Sequence, residues 1–196
     1  MEGIMAKDNR EKLIKATDRL LKDRSISSIT TKEITKEAGV SVGVFYNYFD
    51  SKEDVFTELI KSFFNYSLAE MEKLKTEITG NNLRSELKFK EFLVKGMDKN
   101  WENRFLNSDI LMLSRKDQAF KELMLNFNEQ MVAIIVGILT IIQDGGQDKD
   151  QVTKAKLIMN LIQNSYPVFS SFEDDQEQEA YMEKVVKIIF DLSFNE

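Results

Sequence analysis

Between Ser41 and Lys52 the chain sets Val42, Gly43, Val44, Tyr46 and Asn47 close together on one short stretch. Their chemistry is that of reading a surface. Valine methyls can meet a thymine methyl, Gly43 permits close approach, Asn47 can pair with an adenine edge through two hydrogen bonds, and Tyr46 can reach a phosphate. Lys52, near the start of the following helix, adds a charge and a helix N-terminus facing a phosphate. Catalytic chemistry is thin by comparison. The 196 residues include no cysteine and no histidine, which removes disulfides, thiolate and imidazole metal ligands, Cys nucleophiles and every acid–base step that needs imidazole. Carboxylates, Lys and Tyr survive this filter but form no catalytic motif. The acids from Glu173 to Glu177 read as the favourable first turn of a helix. The loop Asp144 to Asp150 fails the EF-hand spacing. No metal and no cofactor are expected.

The elements that position these residues are helices. The chain has one proline, Pro167, and glycines fall between apolar-periodic segments at Gly39, Gly80 and Gly145-Gly146, the pattern of an all-α protein. Helices are predicted over about 8–23, 31–38, 42–48, 52–78, 83–99, 101–114, 117–143, 149–166 and 174–193, about nine in all. The first buries a stripe of Leu13, Ile14, Thr17, Leu20 and Leu21. Thr30-Thr31-Lys32-Glu33 forms a capping box, with Ile29 and Ile34 spaced as a hydrophobic staple. Ala38-Gly39 closes the second helix, Ser41 caps the third, and Asp50-Ser51 caps the fourth. Two short helices joined by a glycine turn make a helix-turn-helix. Ile34, Ala38, Val40, Phe45 and Tyr48 provide its apolar contacts. An aromatic cluster such as Phe45-Tyr46-Tyr48-Phe49 is equally at home in the core of a bundle, so spacing alone leaves groove reading and a structural role side by side.

Net charge is −6, divided as +2 over residues 1–52 and −8 over the rest. Only the N-terminal quarter is suited to approach a polyanion, although solvated helix faces give the same imbalance.

Three segments go further: Ile29-Thr30-Thr31-Lys32-Glu33-Ile34, Ala38-Gly39-Val40-Ser41, and Val44-Phe45-Tyr46-Asn47-Tyr48-Phe49-Asp50-Ser51-Lys52-Glu53. Together they resemble the N-terminal signature of the tetracycline-repressor (TetR) family of transcriptional regulators. The resemblance runs from about Arg10 to Leu59, roughly a quarter of the chain. It implies a homodimer with a three-helix DNA-binding domain at 1–51 and a ligand-binding and dimerisation domain at 52–196, the helix 52–78 linking them. Carried over, Thr30 or Thr31 and Lys32 resemble phosphate contacts at the start of the second helix. Val42, Gly43, Val44 and Asn47 correspond to the base-reading face, and Tyr46 and Lys52 to further phosphate contacts. Ser41 and Tyr48 fall within the same DNA-binding set. One departure stands out: where many members carry a charged or amide residue near Val42 or Val44, this face is mainly apolar, which suggests methyl contacts and shape readout.

Beyond residue 60 the reading is physical again. A run from Phe120 to Ile142 is apolar on more than one face and belongs at the centre of a bundle. Nine Met and 14 Phe suit an adaptable apolar pocket, although ordinary core is the simpler account of each residue. The resemblance implies such a pocket for a small hydrophobic effector, with Trp101, Phe105, Met112, Phe127, Met131 and Met159 as its candidates. It also implies dimerisation through the last two helices, with Leu157, Leu161, Val185 and Ile189 as candidates. The first dozen residues carry Glu2, Asp8 and Glu11 and lack an apolar h-region, so no secretory signal is read there, and Met131 to Ile142 is too short to span a bilayer. A cytoplasmic protein with no membrane partner is expected. The resulting reading is a repressor, not an enzyme, that binds a double-stranded palindromic operator as a dimer. Its rivals are a regulator controlled by a protein partner and an all-helical lipid- or small-molecule-binding protein or enzyme.

Overall fold

The computed structural model describes residues 2–80, 82–101, 105–143, 150–169 and 171–194. Among them the chain forms α1 (Glu2–Leu21), a 3₁₀ turn (Ile26–Ser28), α2 (Thr31–Ala38), α3 (Val42–Tyr46), α4 (Lys52–Glu77), α5 (Leu83–Trp101), α6 (Leu106–Lys116), α7 (Gln118–Ile142), α8 (Gln151–Phe169) and α9 (Asp175–Phe194). The protein is all-α, and no strand occurs among the described residues.

Several boundaries differ from those predicted, and α1 starts at Glu2, before the expected residue 8. Helix α3 ends at Tyr46, with Asn47 as its C-cap. Trp101 closes α5, and α6 starts only at Leu106. Helix α8 runs through Pro167 to Phe169, although a proline there has no N–H to donate to the carbonyl four residues back. The 3₁₀ turn was not anticipated, since a Ser-rich break carries no periodicity. The Asp144–Asp150 loop lies outside the described residues except for Asp150.

The chain folds into two compact units. The first comprises Met1–Asn65 with Asn103–Met124, the second Tyr66–Glu102 with Leu125–Glu196. In the first unit α1, α2 and α3 pack on one another. Leu13, Ala16, Ile26, Ile29, Ile34 and Phe45 have no exposed surface. Burying each of the larger side chains stabilises by about 1.5–3 kcal/mol. Phe56 of α4 stacks on Phe120 of α7, ring centres 6.2 Å apart. Arg10 of α1 lies over the Phe49 ring at 5.4 Å and pairs with Glu58 of α4. Lys61 and Arg10 together hold the Glu58 carboxyl below its ordinary range.

In the second unit α8 and α9 pack along each other, and α5 touches both. Ala155, Ile158 and Met159 of α8 are buried, as are Met182, Val185, Val186 and Ile189 of α9. Lys95 of α5 donates to Glu70 of α4 at 3.0 Å, which raises the lysine pKa. Helix α7 is long and apolar enough to cross a membrane by length and composition, a property it shares with core helices of globular proteins. Its Met131, Ile134, Ile135, Ile138, Leu139 and Ile142 are buried in the protein.

The turn between α2 and α3 is the sharpest backbone feature of the first unit. Gly39 sits at φ 68°, ψ 32°, and its N–H donates to Lys36 O while that of Val40 donates to Thr35 O. A side chain in this left-handed conformation costs about 1–2 kcal/mol, although open space surrounds the position. Gly39→Ala is therefore expected to lower unfolding free energy by that amount through backbone strain alone, as measured by urea denaturation.

Candidate nucleic-acid interface

The start of α2 is fixed by one carboxylate. Thr30 Oγ1 accepts from the Glu33 N–H at 3.2 Å, and Glu33 Oε2 accepts from both the N–H and the hydroxyl of Thr30 at 2.8 Å. Arg24 donates to Glu33 Oε1 at 2.8 Å and to the Ser28 carbonyl. The Arg24 hydrogen bond, then those from Thr30, bring the Glu33 pKa down to about 2. Ile29 and Ile34 close the staple beneath, both without exposed surface.

Two ion pairs then set the charge of α2. Glu33 pairs with Arg24 and Glu37 with Arg19, the latter at 2.7 Å. Lys32 and Lys36, one turn apart and exposed, have no ion pair among the described residues. The acids are neutralised and two ammonium groups face solvent. Lys36 was not singled out by sequence reasoning, which could have found it as the i+4 partner of Lys32.

Helix α3 is five residues long. Ser41 caps it, accepting from the Val44 N–H at 3.3 Å. Phe45 is fully buried and meets Tyr46 edge-on at 5.4 Å and Phe49 at 5.7 Å. Around that anchor Val42, Gly43, Tyr46 and Asn47 are exposed, while Val44 and Tyr48 are half-buried. Tyr46 exposes 56% of its surface. The expected reading face is thus presented as one patch.

Two expected contacts, Thr30 and Lys52, are otherwise engaged. The Thr30 hydroxyl is occupied by the capping box, whereas that of half-buried Thr31 makes no hydrogen bond among the described residues. Lys52 Nζ donates to Ile26 O and Ile29 O at 2.7 Å and to Ser27 O at 3.2 Å. At the start of α4, Asp54 accepts from the N–H groups of Asp50 and Ser51, both at 3.0 Å, and Ser51 Oγ accepts from the Asp54 N–H.

The expected effector and dimer residues are scattered. Phe105 and Met112 are half-buried residues of the first unit; Phe127, Met131 and Met159 are buried in the second. The Trp101 side chain lies outside those described. None of the described candidates lines the open cleft of about 360 Å³ in the second unit, which is bounded by Leu68, Ala69, Glu72, Lys75, Gln130, Ala133 and Ile134. There Gly137 leaves space for the Lys75 stem, whose Cε would stand 2.8 Å from an added Cβ. On α8 Leu157 is 52% exposed and Leu161 half-buried, whereas Val185 and Ile189 of α9 are core residues of a single chain.

Residues 13–59 match the family model described as bacterial regulatory proteins, tetR family. These residues form a TetR-family helix-turn-helix module. The TetR fold extends over the rest of the chain. A TetR transcription regulator from Haloarcula marismortui superposes with a TM-score of 0.74 at 17% identity, covering 92% of this chain and 96% of that one. Salmonella enterica GusR gives 0.71 at 17% identity over 94% of each chain. Among curated proteins, the uncharacterized HTH-type transcriptional regulator YerO of Bacillus subtilis is 28% identical over 81 residues, 41% of this chain and 28% of that protein. An uncharacterized HTH-type transcriptional regulator of Haemophilus influenzae is 30% identical over 66 residues, 34% of this chain and 35% of that protein. The aligned part of the chain thus spans about a third or less of these relatives' length. TetR-family regulators are non-enzymatic DNA-binding proteins.

The depressed Glu33 pKa has a sign that can be tested. The carboxylate is favoured in the folded state, so its contribution is complete above the ordinary value of 4.5 and is lost as pH falls toward about 2. The urea midpoint is expected to fall across that window, and Glu33→Gln to flatten this part of the profile.

Proposed function

We propose that the protein is a transcriptional repressor that binds a palindromic DNA operator as a homodimer and leaves it when a small apolar effector binds. The observation that carries the DNA-binding part is the solvent-facing patch on α3, held by a fully buried Phe45, together with the exposed Lys32 and Lys36 of the preceding α2. Val42, Gly43, Val44 and Asn47 would read bases. Lys32, Lys36, Thr31 and Tyr46 would reach phosphates. With no charged side chain on the reading face, discrimination would come from thymine methyls, from Asn47 and from duplex shape.

The dimer reading draws on α8 and α9. Leu157, Leu161 and Val168 recur along α8, and Ile188 of α9 is 49% exposed. A second copy packed on this face would make a four-helix bundle. Val185 and Ile189 would support that face from inside. For the effector, Phe127, Met131 and Met159 are buried apolar side chains, the two methionines adaptable in shape. Such a ligand acts only through unequal affinity for the two states, about 10⁴-fold for a switch from 1:99 to 99:1.

Selection of bound sequences from a random duplex pool at two salt concentrations tests the function directly. A palindrome with half-sites about 34–36 Å apart is expected, and its absence at both salts would favour a helical binding protein that does not act on DNA. On the recovered site, Lys32→Ala is expected to weaken all sequences alike and lower the salt slope by about one. Asn47→Ala should cost about 1–3 kcal/mol at one base pair only. Leu157→Glu is expected to give a folded monomer in sedimentation velocity.

A further inference from the structure

We propose that the 3₁₀ turn between α1 and α2 is held in a two-sided clamp, Asp109 of α6 on its N–H side and Lys52 of α4 on its carbonyl side, and that this clamp positions α2 and α3 for DNA. The proposal rests on the DNA-binding reading, and all its residues lie within the first unit.

Asp109 is the most unexpected charged group in the described structure. It is 3% exposed, and no Lys or Arg pairs with it among the described residues. A buried carboxylate without a cation is costly unless hydrogen bonds compensate it, and an apolar residue would pack there more cheaply. Its oxygens are directed at the turn alone: one accepts from the Ser25 hydroxyl, the other from the Ile26 N–H at 2.9 Å. Ser25 is also the cap of the turn, its hydroxyl accepting from the Ser27 N–H.

Lys52 completes the arrangement from the opposite side. An ammonium has three donors, and the carbonyls of Ile26, Ser27 and Ile29 accept from it. Ile26 is therefore gripped at both its N–H and its C=O while its side chain is fully buried. Ile29, whose carbonyl Lys52 also holds, immediately precedes the Thr30 cap of α2. The two grips come from residues 83 and 26 positions away along the chain. They fix the point at which α2 departs, and with it α3. Lys52 is thus a positioning residue: with its donors on carbonyls, it has none for a phosphate in this conformation.

The test uses the full chain carrying Lys52→Met, Asp109→Asn, both together, and the milder Ser25→Ala. Circular dichroism and urea midpoints establish that each is folded before it is used. On the selected operator, Lys52→Met and Asp109→Asn are each expected to weaken affinity about 10- to 100-fold, the factor that a lost hydrogen bond to a charged group corresponds to. The salt slope should be unchanged, and the double variant should be little worse than either single one. A slope reduced by about one for Lys52→Met, with additive effects, would make Lys52 a phosphate ligand and overturn the clamp. Unchanged affinity in both folded variants would do the same. Amide exchange provides a readout without DNA: each variant should speed exchange at Ile26 and along α2 and α3, and exchange equal to wild type sinks the clamp. If the wild-type chain enriches no duplex, the DNA-binding reading has failed, and exchange alone decides whether the turn is clamped.

Discussion

Phe45 bears the first unit's central constraint. A helix of five residues has too few internal hydrogen bonds to exist alone, so α3 is present because this one ring is fully buried while its neighbours on the helix remain outside. Everything that could read a surface is carried on that anchor. Its burial in turn requires α1 and α2, which both pack on α3, and a glycine between α2 and α3 to turn the chain tightly enough. Apolar packing sets where the helix lies; caps and ion pairs set how it ends and what charge surrounds it.

The electrostatic arrangement follows a similar economy. Acidic residues on α2 are close to where an anionic partner would lie, yet each has a structural duty: Glu33 joins the cap of α2 to Arg24, and Glu37 ties α2 to Arg19 of α1. Once paired, they no longer oppose Lys32 and Lys36. Each pair also occupies an arginine, so the +2 of the N-terminal quarter is unchanged, but the cations of α2 are left without an acidic partner among the described residues. Counting charges along a chain cannot reveal this, because the count treats a paired glutamate and a free one alike.

What could be read from the sequence divides along the range of the interactions. The capping box at Thr30 and Glu33, the glycine closure at Gly39, the Ser41 cap and the order of the helices are decided by residues three to five apart, and they were legible. The exposed patch on α3 was legible too, because the inward positions of so short a helix are few. Asp109 was not: its partners lie 83 and 84 positions away, and nothing near it in sequence distinguishes it from a solvated aspartate. The contacts of Lys52 were hidden in the same way. In α8 and α9 the apolar residues extend around more than one side, so periodicity could not say that Val185 and Ile189 face inward while Leu157 faces out.

The environment of Lys52 also bears on amine chemistry. Before it can act as a nucleophile the Lys52 amine must leave three carbonyl acceptors, a restriction that the exposed Lys32 and Lys36 do not carry. An acylating reagent would therefore distinguish these amines by their surroundings and not by their order in the chain. Acylation that removed charge from α2 would proceed while the turn before it stayed intact, so the polarity of this surface can be altered without loosening the element that supports it.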